Sequence, residues 1–422
     1  MLQSGLVAGQ DLDTSMLLDL AQTWHQGSPQ VTKLSGTFEL SSGLSDNISF
    51  TTIGRGQFIG PDKLEPGNSR QSSVSPATKR IYLNPSAEIE LRELYLDFDF
   101  EKASLRLGKQ QVVWGQADGL KLLDLINPQD FREFILDDFN HSRIPLWMFN
   151  LALYFDIGDL QVLWIPDTTM HSLPEKGALF EITAPFQTLP QGTPIEFKEI
   201  DRPDNLFKDS DVGLRLSKFI AGWDLTLHYL YHFDDFPVMR SSLTEKGIRF
   251  SPAYERTHTV GASASNAFGD IIFRSEVVLN SDKYFNTGLS TINPAVNDGV
   301  SRSREFGYVF GFDWTGLRDT FISFQMFQSR MLDDKDALRR KIETSFTLLL
   351  RRNFLNESIQ LETLWIFNQE DKDNLLRLKG RFETSSNTSI TLFVDIFNGE
   401  SDELFGQFDS RDQVGIKLSY GL

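Results

Sequence analysis

The chain has 422 residues, with 41 Lys and Arg against 58 Asp and Glu, a formal charge of −17 that excludes a nucleic-acid partner bound through its phosphates. It has no cysteine, which excludes disulfide frameworks, thiolate zinc sites, iron–sulfur clusters and cysteine nucleophiles and suits an oxidising compartment. Thirty-five phenylalanines stand in a chain whose mean hydropathy is only −0.26, and they are spread out rather than gathered into the roughly 18 apolar residues that a membrane helix needs.

Met1 is followed directly by Leu-Gln-Ser-Gly, with neither a basic n-region nor an apolar h-region, as in a cytosolic protein or a mature chain given a new start Met. From Lys33 onward roughly 17 segments alternate large apolar with polar residues at a period of two, and Leu2–Leu12 is the expected first strand. Trp147, Phe149, Leu151, Leu153 and Phe155 show the pattern, as do Trp223, Leu225, Leu227, Tyr229, Tyr231 and Phe233. It recurs at Phe306 to Trp314, Ile359 to Phe367, Leu376 to Phe382, Ile390 to Ile396 and Val414 to Leu422.

Alternation alone fits a soluble sandwich as well as a membrane barrel, so length and punctuation decide. The segments run roughly 10 to 15 residues, longer than the usual 5 to 6 of globular strands and suited to tilted spans of about 9 to 11. Short turns, such as those at 100–103, 156–159 and 220–223, alternate with long polar connections at 60–86, 116–145, 170–209, 240–256 and 284–302. The expectation is all-β: one transmembrane antiparallel β-barrel of about 16–18 strands over residues 1–422, in a bacterial outer membrane, with a partly helical inserted loop. Trp223, Trp314, Trp365 and Tyr154 fall near strand ends, where interfacial girdles form.

The inserted loop, Gln116 to Pro145, is the most distinctive stretch. Asn127 before Pro128 reads as a helix N-cap and N1 pair, and Phe131, Phe134, Ile135 and Asp138 follow at helical spacing. An amphipathic helix tethered to two barrel strands can bury its stripe only against the inner wall or a lid of other loops, so the loop, with Asp118, Asn127, Pro128, Phe131, Phe134, Ile135 and Arg143, reads as a constriction or plug.

Arg106-Leu-Gly108-Lys109-Gln110, Trp114-Gly115, Asn127-Pro128 and Ser142-Arg143-Ile144-Pro145 together resemble a group of uncharacterised Gram-negative outer-membrane proteins, over residues 87 to 166. The strand motif is also similar to those of alginate-export-like channels and porins. The resemblance implies an outer-membrane barrel, working beside inner-membrane exporters of lipid-like molecules.

With the apolar face toward lipid, the other face lines the lumen, since a charge at the bilayer midplane costs about 2 to 4 kcal/mol. Arg377, Lys379 and Arg381 then form a basic ladder and Glu93, Asp97 and Asp99 an acidic one, while Arg106, Arg215, Arg274, Glu276, Asp313, Glu343, Arg351 and Glu362 also point inward. Opposed ladders set a transverse field across a pore; the alternative is that the charges pair and simply rigidify the barrel.

Enzymatic signals are weak. His228 and His232 share a face but lie roughly 13 Å apart at strand rise, too far to hold one metal ion. His232 with Asp234 could form an acid–base pair, although a lumen- or loop-facing histidine is the far commoner arrangement. No Gly-rich phosphate loop, HExxH pair or GxSxG elbow occurs, and no cofactor or catalytic set is expected. The acidic runs at Glu370 to Asp373 and Asp333-Asp334 suit Ca²⁺ or lipopolysaccharide bridging, yet such runs are usually solvated turns. The functional expectation is a channel or transporter for a small or lipid-like solute, gated by the folded loop. Its rival is a docking barrel that holds a periplasmic or inner-membrane exporter component or an electron-transfer partner. Membrane lipid and lipopolysaccharide are the other expected partners.

Overall fold

The computed structural model describes residues 12–117, 119–183, 194–245, 247–287, 298–333 and 337–422. The alternating segments become eighteen barrel strands: β1 Leu12–His25, β2 Ser28–Ser45, β3 Ile48–Gly60, β4 Ala87–Phe100, β5 Ala103–Gln110, β6 Leu146–Phe155, β7 Gly158–Ile165, β8 Asp211–Ile220 and β9 Trp223–Phe233, then β10 Arg256–Phe268, β11 Ile271–Asn286, β12 Val300–Trp314, β13 Thr320–Met331, β14 Ile342–Phe354, β15 Ile359–Asn368, β16 Asn374–Ser385, β17 Thr388–Asn398 and β18 Gln413–Gly421. Each is antiparallel to the next, and β18 returns to β1 from Leu17↔Gly421 to Trp24↔Val414, which closes the sheet and leaves no edge. The count of about 18 holds. The first strand, however, is Leu12–His25 rather than Leu2–Leu12, and residues 2–11 lie outside the described ones.

The two ends of the barrel differ. One carries two-residue turns such as 46–47, 101–102 and 221–222, where Ala221 and Gly222 both take positive φ, as a hairpin matching strand twist requires. The other carries the connections 61–86, 111–145, 166–210 and 234–255. A two-residue turn, Gln26-Gly27, also sits at this long-loop end, so the alternation of short and long is not strict. Outside the barrel, Val238–Thr244 and Gly247–Ala253 form a hairpin joined in parallel by Ile195–Phe197.

Along β12 the outward residues Phe306, Phe310, Phe312 and Trp314 are exposed, while Ser303, Glu305, Val309 and Asp313 are buried inside. The same alternation on the other strands makes an apolar outer band, the surface a bilayer solvates. Trp223, Trp314 and Tyr154 lie toward its short-turn rim and Trp365 toward its long-loop rim. A bulge in β4, where Ile53 opposes Glu93 but Gly54 opposes Leu91, turns both Arg92 and Glu93 inward.

Candidate functional site

The 111–145 loop leaves β5 and crosses the lumen from wall to wall. Its first turn packs Trp114 into an apolar cluster with Val112, Ile126, Leu146, Met148, Leu163 and Leu230, and the indole donates to Gln161 at 2.9 Å. Three wall glycines make this approach possible. A Cβ on Gly213 of β8 would stand 2.8 Å from Trp114, one on Gly261 of β10 2.4 Å from Leu123, and one on Gly307 of β12 2.9 Å from Leu122. Glu276 accepts the backbone N–H groups of Gln116 and Leu123, the latter at 3.1 Å. Arg274 donates to the Gln116 carbonyl and pairs with Asp313 at 2.8 Å.

The far end of the loop docks on β2, β16 and β17. Phe134 sits 4.8 Å from the Phe408 ring and 6.2 Å from that of Phe397, in a cluster that also holds Phe180, Ile366, Leu375 and Phe405. Arg377 holds Asp395 at 2.9 Å while donating to the carbonyls of Ile135 (3.2 Å) and Leu136 (2.6 Å). Lys33 pairs with Glu133 and Asp137, and Lys379 reaches Asp138 at 3.4 Å. Burial pushes the Asp137 carboxyl up, but Lys33 and His141 pull it below its ordinary value.

Between these anchors lies a buried ionic cluster. Arg132 reaches Glu65 (3.2 Å), Glu88 (3.1 Å) and Asp130 (2.8 Å), and Arg80 reaches Glu65 (2.8 Å) and Glu88 (3.3 Å). Alongside, Glu90 bridges Arg55 (2.7 Å) and Arg92 (3.2 Å), and Arg92 donates to the Asn140 and Arg143 carbonyls. Burial, with Glu65 and Glu90 nearby, pushes Asp130 up to about 7 against the pull of Arg80 and Arg55. Arg143 holds Asp124 at 2.8 Å. Burial brings the neighbouring Lys121 amine down to about 8 despite Asp124 at 3.1 Å. His171 accepts the Gln129 N–H at Nδ1 (2.8 Å), and burial takes it down to about 3, so the ring is neutral.

The loop is not the amphipathic helix expected from Asn127-Pro128. Its helical part is the single turn Phe139–Ser142, with Asp138 at the N-cap. The Asn127 side chain is instead buried, accepting the Val112 N–H (2.7 Å) and donating to the Ile144 carbonyl (3.0 Å), so it ties the two legs of the loop together. Pro128 accepts from Ile144 through its carbonyl, and Phe134 has φ +53°, which helix geometry forbids. Phe131 faces away from Phe134, stacking on Phe236 at 5.7 Å. Asp118 lies outside the described residues.

The inward-facing charges are mostly locally paired. Asp97 and Arg106 share two bonds (2.6 and 3.0 Å) beneath a cation–π contact of Arg106 on Tyr95 at 3.9 Å, and Glu93 accepts from Gln111 at 3.0 Å. Arg351 pairs with Glu362 at 2.7 Å and Arg381 with Glu383 at 2.6 Å; Asp99 is exposed near the short-turn rim, and Arg215 is half-buried on β8. Arg377, Lys379, Arg381, Glu93 and Asp97 thus have partners on their own wall or on the loop, which weakens the expected transverse field. Glu343 pairs with Arg339 at 2.7 Å at the long-loop end, away from the lumen floor. His228 packs on Trp114 and His232 bonds Thr259, while Asp234 pairs with Lys283, so no acid–base pair forms between His232 and Asp234.

Sequence reading missed the ionic cluster of Arg55, Glu65, Arg80, Glu88, Arg92, Asp130 and Arg132. It also missed the apolar lumen residues Ile366, Leu375 and Phe397. The inward glycines Gly213, Gly261 and Gly307 were the legible signal, since a residue without a side chain on a strand marks a close approach. Beneath the 111–145 loop, which forms a strap across the lumen, a cavity of about 590 Å³ remains toward the short turns, walled by Lys33, Arg351, Lys379, Arg381, Lys417, Asp19 and Glu362 and roofed by Glu133, Asp137, Asp138 and His141.

A family model described as Protein of unknown function (DUF1302) matches residues 60–306, more than half of the chain. No curated protein matches the chain in sequence. Among solved structures it is similar to Acinetobacter baumannii OccAB2 (12% identity, TM-score 0.55, covering 100% of this chain and 99% of that one). It is also similar to Pseudomonas aeruginosa OccK8 (OprE) (12%, 0.53, 98% of both) and to P. aeruginosa OpdK solved with vanillate (10%, 0.53, 98% of both). At such identities the likeness establishes the fold, that of outer-membrane porins.

Proposed function

The chain belongs to the family described as Protein of unknown function (DUF1302), and from that membership, the porin fold and the strapped lumen we propose that it is an outer-membrane channel for a small polar solute, controlled by the 111–145 loop. The cavity beneath the strap carries this reading. Its volume of about 590 Å³ falls in the small-molecule range of about 300–1,000 Å³. Its walls bring lysines, arginines and carboxylates together, a surface that suits a solute with charge or hydrogen-bonding groups better than a lipid-like one. OpdK, which shares the fold, was solved with vanillate, a molecule of the size such a cavity admits.

The test is single-channel recording in planar bilayers with the full chain and with residues 118–138 deleted. Discrete openings that grow larger on deletion are expected. Equal conductance in the two proteins overturns control by the strap.

One observation favours a second reading, a docking barrel for a periplasmic or inner-membrane exporter component: the strap is pinned to both walls. A silent bilayer from heat-modifiable, folded barrel, with a stoichiometric partner co-purifying, selects it.

A further inference from the structure

At the long-loop end a second cavity, of about 860 Å³, opens among the connections rather than in the lumen. Its floor is aromatic, with Phe197, Phe236, Phe250 and Phe285, and Phe197 stacks on Phe250 at 5.5 Å between ring centres. Five carboxylates, Glu343, Glu370, Asp371, Asp402 and Glu403, line it against two guanidiniums, Arg339 and Arg340. Both arginines are already engaged. Arg340 bridges Asp371 (2.5 Å) and Glu403 (3.1 Å), and Arg339 binds Glu343 (2.7 Å) and Glu305. Among the described residues, Glu370 and Asp402 have no cationic partner; one Glu370 oxygen accepts the Thr344 N–H at 2.6 Å. The Arg339 guanidinium also lies 5.4 Å from the Phe285 ring centre, so the protein seats a cation of its own on this floor.

We propose that this cavity captures an organic cation with an apolar body, an arylalkylammonium for example, at the long-loop mouth. The ring or chain of the ligand lies on the phenylalanines and its ammonium faces the carboxylates left over by the two arginines. An anion of the same shape meets a rim with surplus negative charge, so the site discriminates by sign while the floor sets the size. This site supplies the channel with solute if the channel reading holds, but the capture itself does not depend on it.

The test is calorimetric titration of the full chain in nanodiscs, with empty nanodiscs subtracted, using 4-phenylbutylammonium and 4-phenylbutyrate as matched probes. Saturable one-site binding of the ammonium, about tenfold tighter than the carboxylate, is expected. The double variant Glu370→Gln, Asp402→Asn should weaken the ammonium by about tenfold and leave the carboxylate no weaker, narrowing the gap between the two probes. Gln keeps an oxygen for the Thr344 N–H, and both positions lie in loops, so the barrel should fold as before; its heat-modifiability on gels checks this. Equal or tighter binding of the carboxylate, no saturable ammonium binding, or a double variant with unchanged affinity overturns the proposal. Absent binding with intact conductance sinks the capture site alone, whereas binding in a protein that never conducts sinks the channel alone.

Discussion

Arg132 touches carboxylates from three segments: Glu65 of the 61–86 connection, Glu88 of β4 and Asp130 two positions before it. Removing one partner of a buried ion pair leaves the others charged and dry, which costs about 3–5 kcal/mol. Arg132→Ala should therefore release the strap while the barrel wall persists, seen as faster amide hydrogen exchange across 128–143 and trypsin cleavage after Arg143. Unchanged exchange would place the strap's stability elsewhere. Asp130 adds a pH dependence whose sign follows from its carboxyl being pushed up to about 7 from an ordinary value near 4. The charges around it are Arg80, Arg132, Arg55, Glu65, Glu88 and Glu90. A group raised in the folded state stabilises below its ordinary value and loses that contribution as pH rises through about 7. The exchange protection of the strap, measured against Asp130→Asn at each pH, should fall between about pH 4 and 7. A flat ratio rejects the assignment. Neither effect was legible beforehand, because Arg80, Arg132 and Glu65 lie in loops with no period to show which way they face.

The strands themselves were readable because their two faces meet different surroundings. Arg377, Lys379 and Arg381 alternate with Leu376, Leu378 and Phe382, and the register places the charged set inside and the apolar set outside. The rule weakens near the long-loop ends, where Ile366, Leu375 and Phe397 point inward and are fully buried against the strap, so both faces are apolar and alternation carries no direction. The Asn127-Pro128 helix failed for a related reason: a local capping signal lost to tertiary bonds that use the same side chain. At this scale the strap's seat is steric. Gly261→Val should drive a side chain into Leu123 and the Val277 carbonyl, an overpacking cost of about 1–3 kcal/mol, and lift the strap from β10. Larger channel openings from a normally folded barrel are expected. Gly56→Ala, where a Cβ meets nothing within 4 Å, should leave conductance unchanged and serves as the control. Equal openings from both variants would refute the seat.

Across the whole molecule, the two halves of the lumen have different contents. A barrel of this strand number ordinarily leaves room for a water-filled channel. Here the long-loop half is packed with two apolar clusters and an ionic one, and open volume survives below the strap and, separately, among the outer connections. Along the barrel axis an aromatic chamber among the connections, a crowded middle and a charged chamber toward the short turns therefore follow one another. The closing pair of strands carries a different consequence. Met16 and Leu422 exchange backbone hydrogen bonds of 3.1 and 2.8 Å, and Ser419 donates to Asp19 across 400 positions of sequence. Every other barrel pairing joins neighbours along the chain and can zip up hairpin by hairpin, but this seam waits until both outermost strands exist. Until it forms, each of them is an open template for any unpaired strand nearby. The ring is thus completed by its least local contact, and a chain that lacks either terminal strand is left not as a narrower barrel but as a sheet with two adhesive borders.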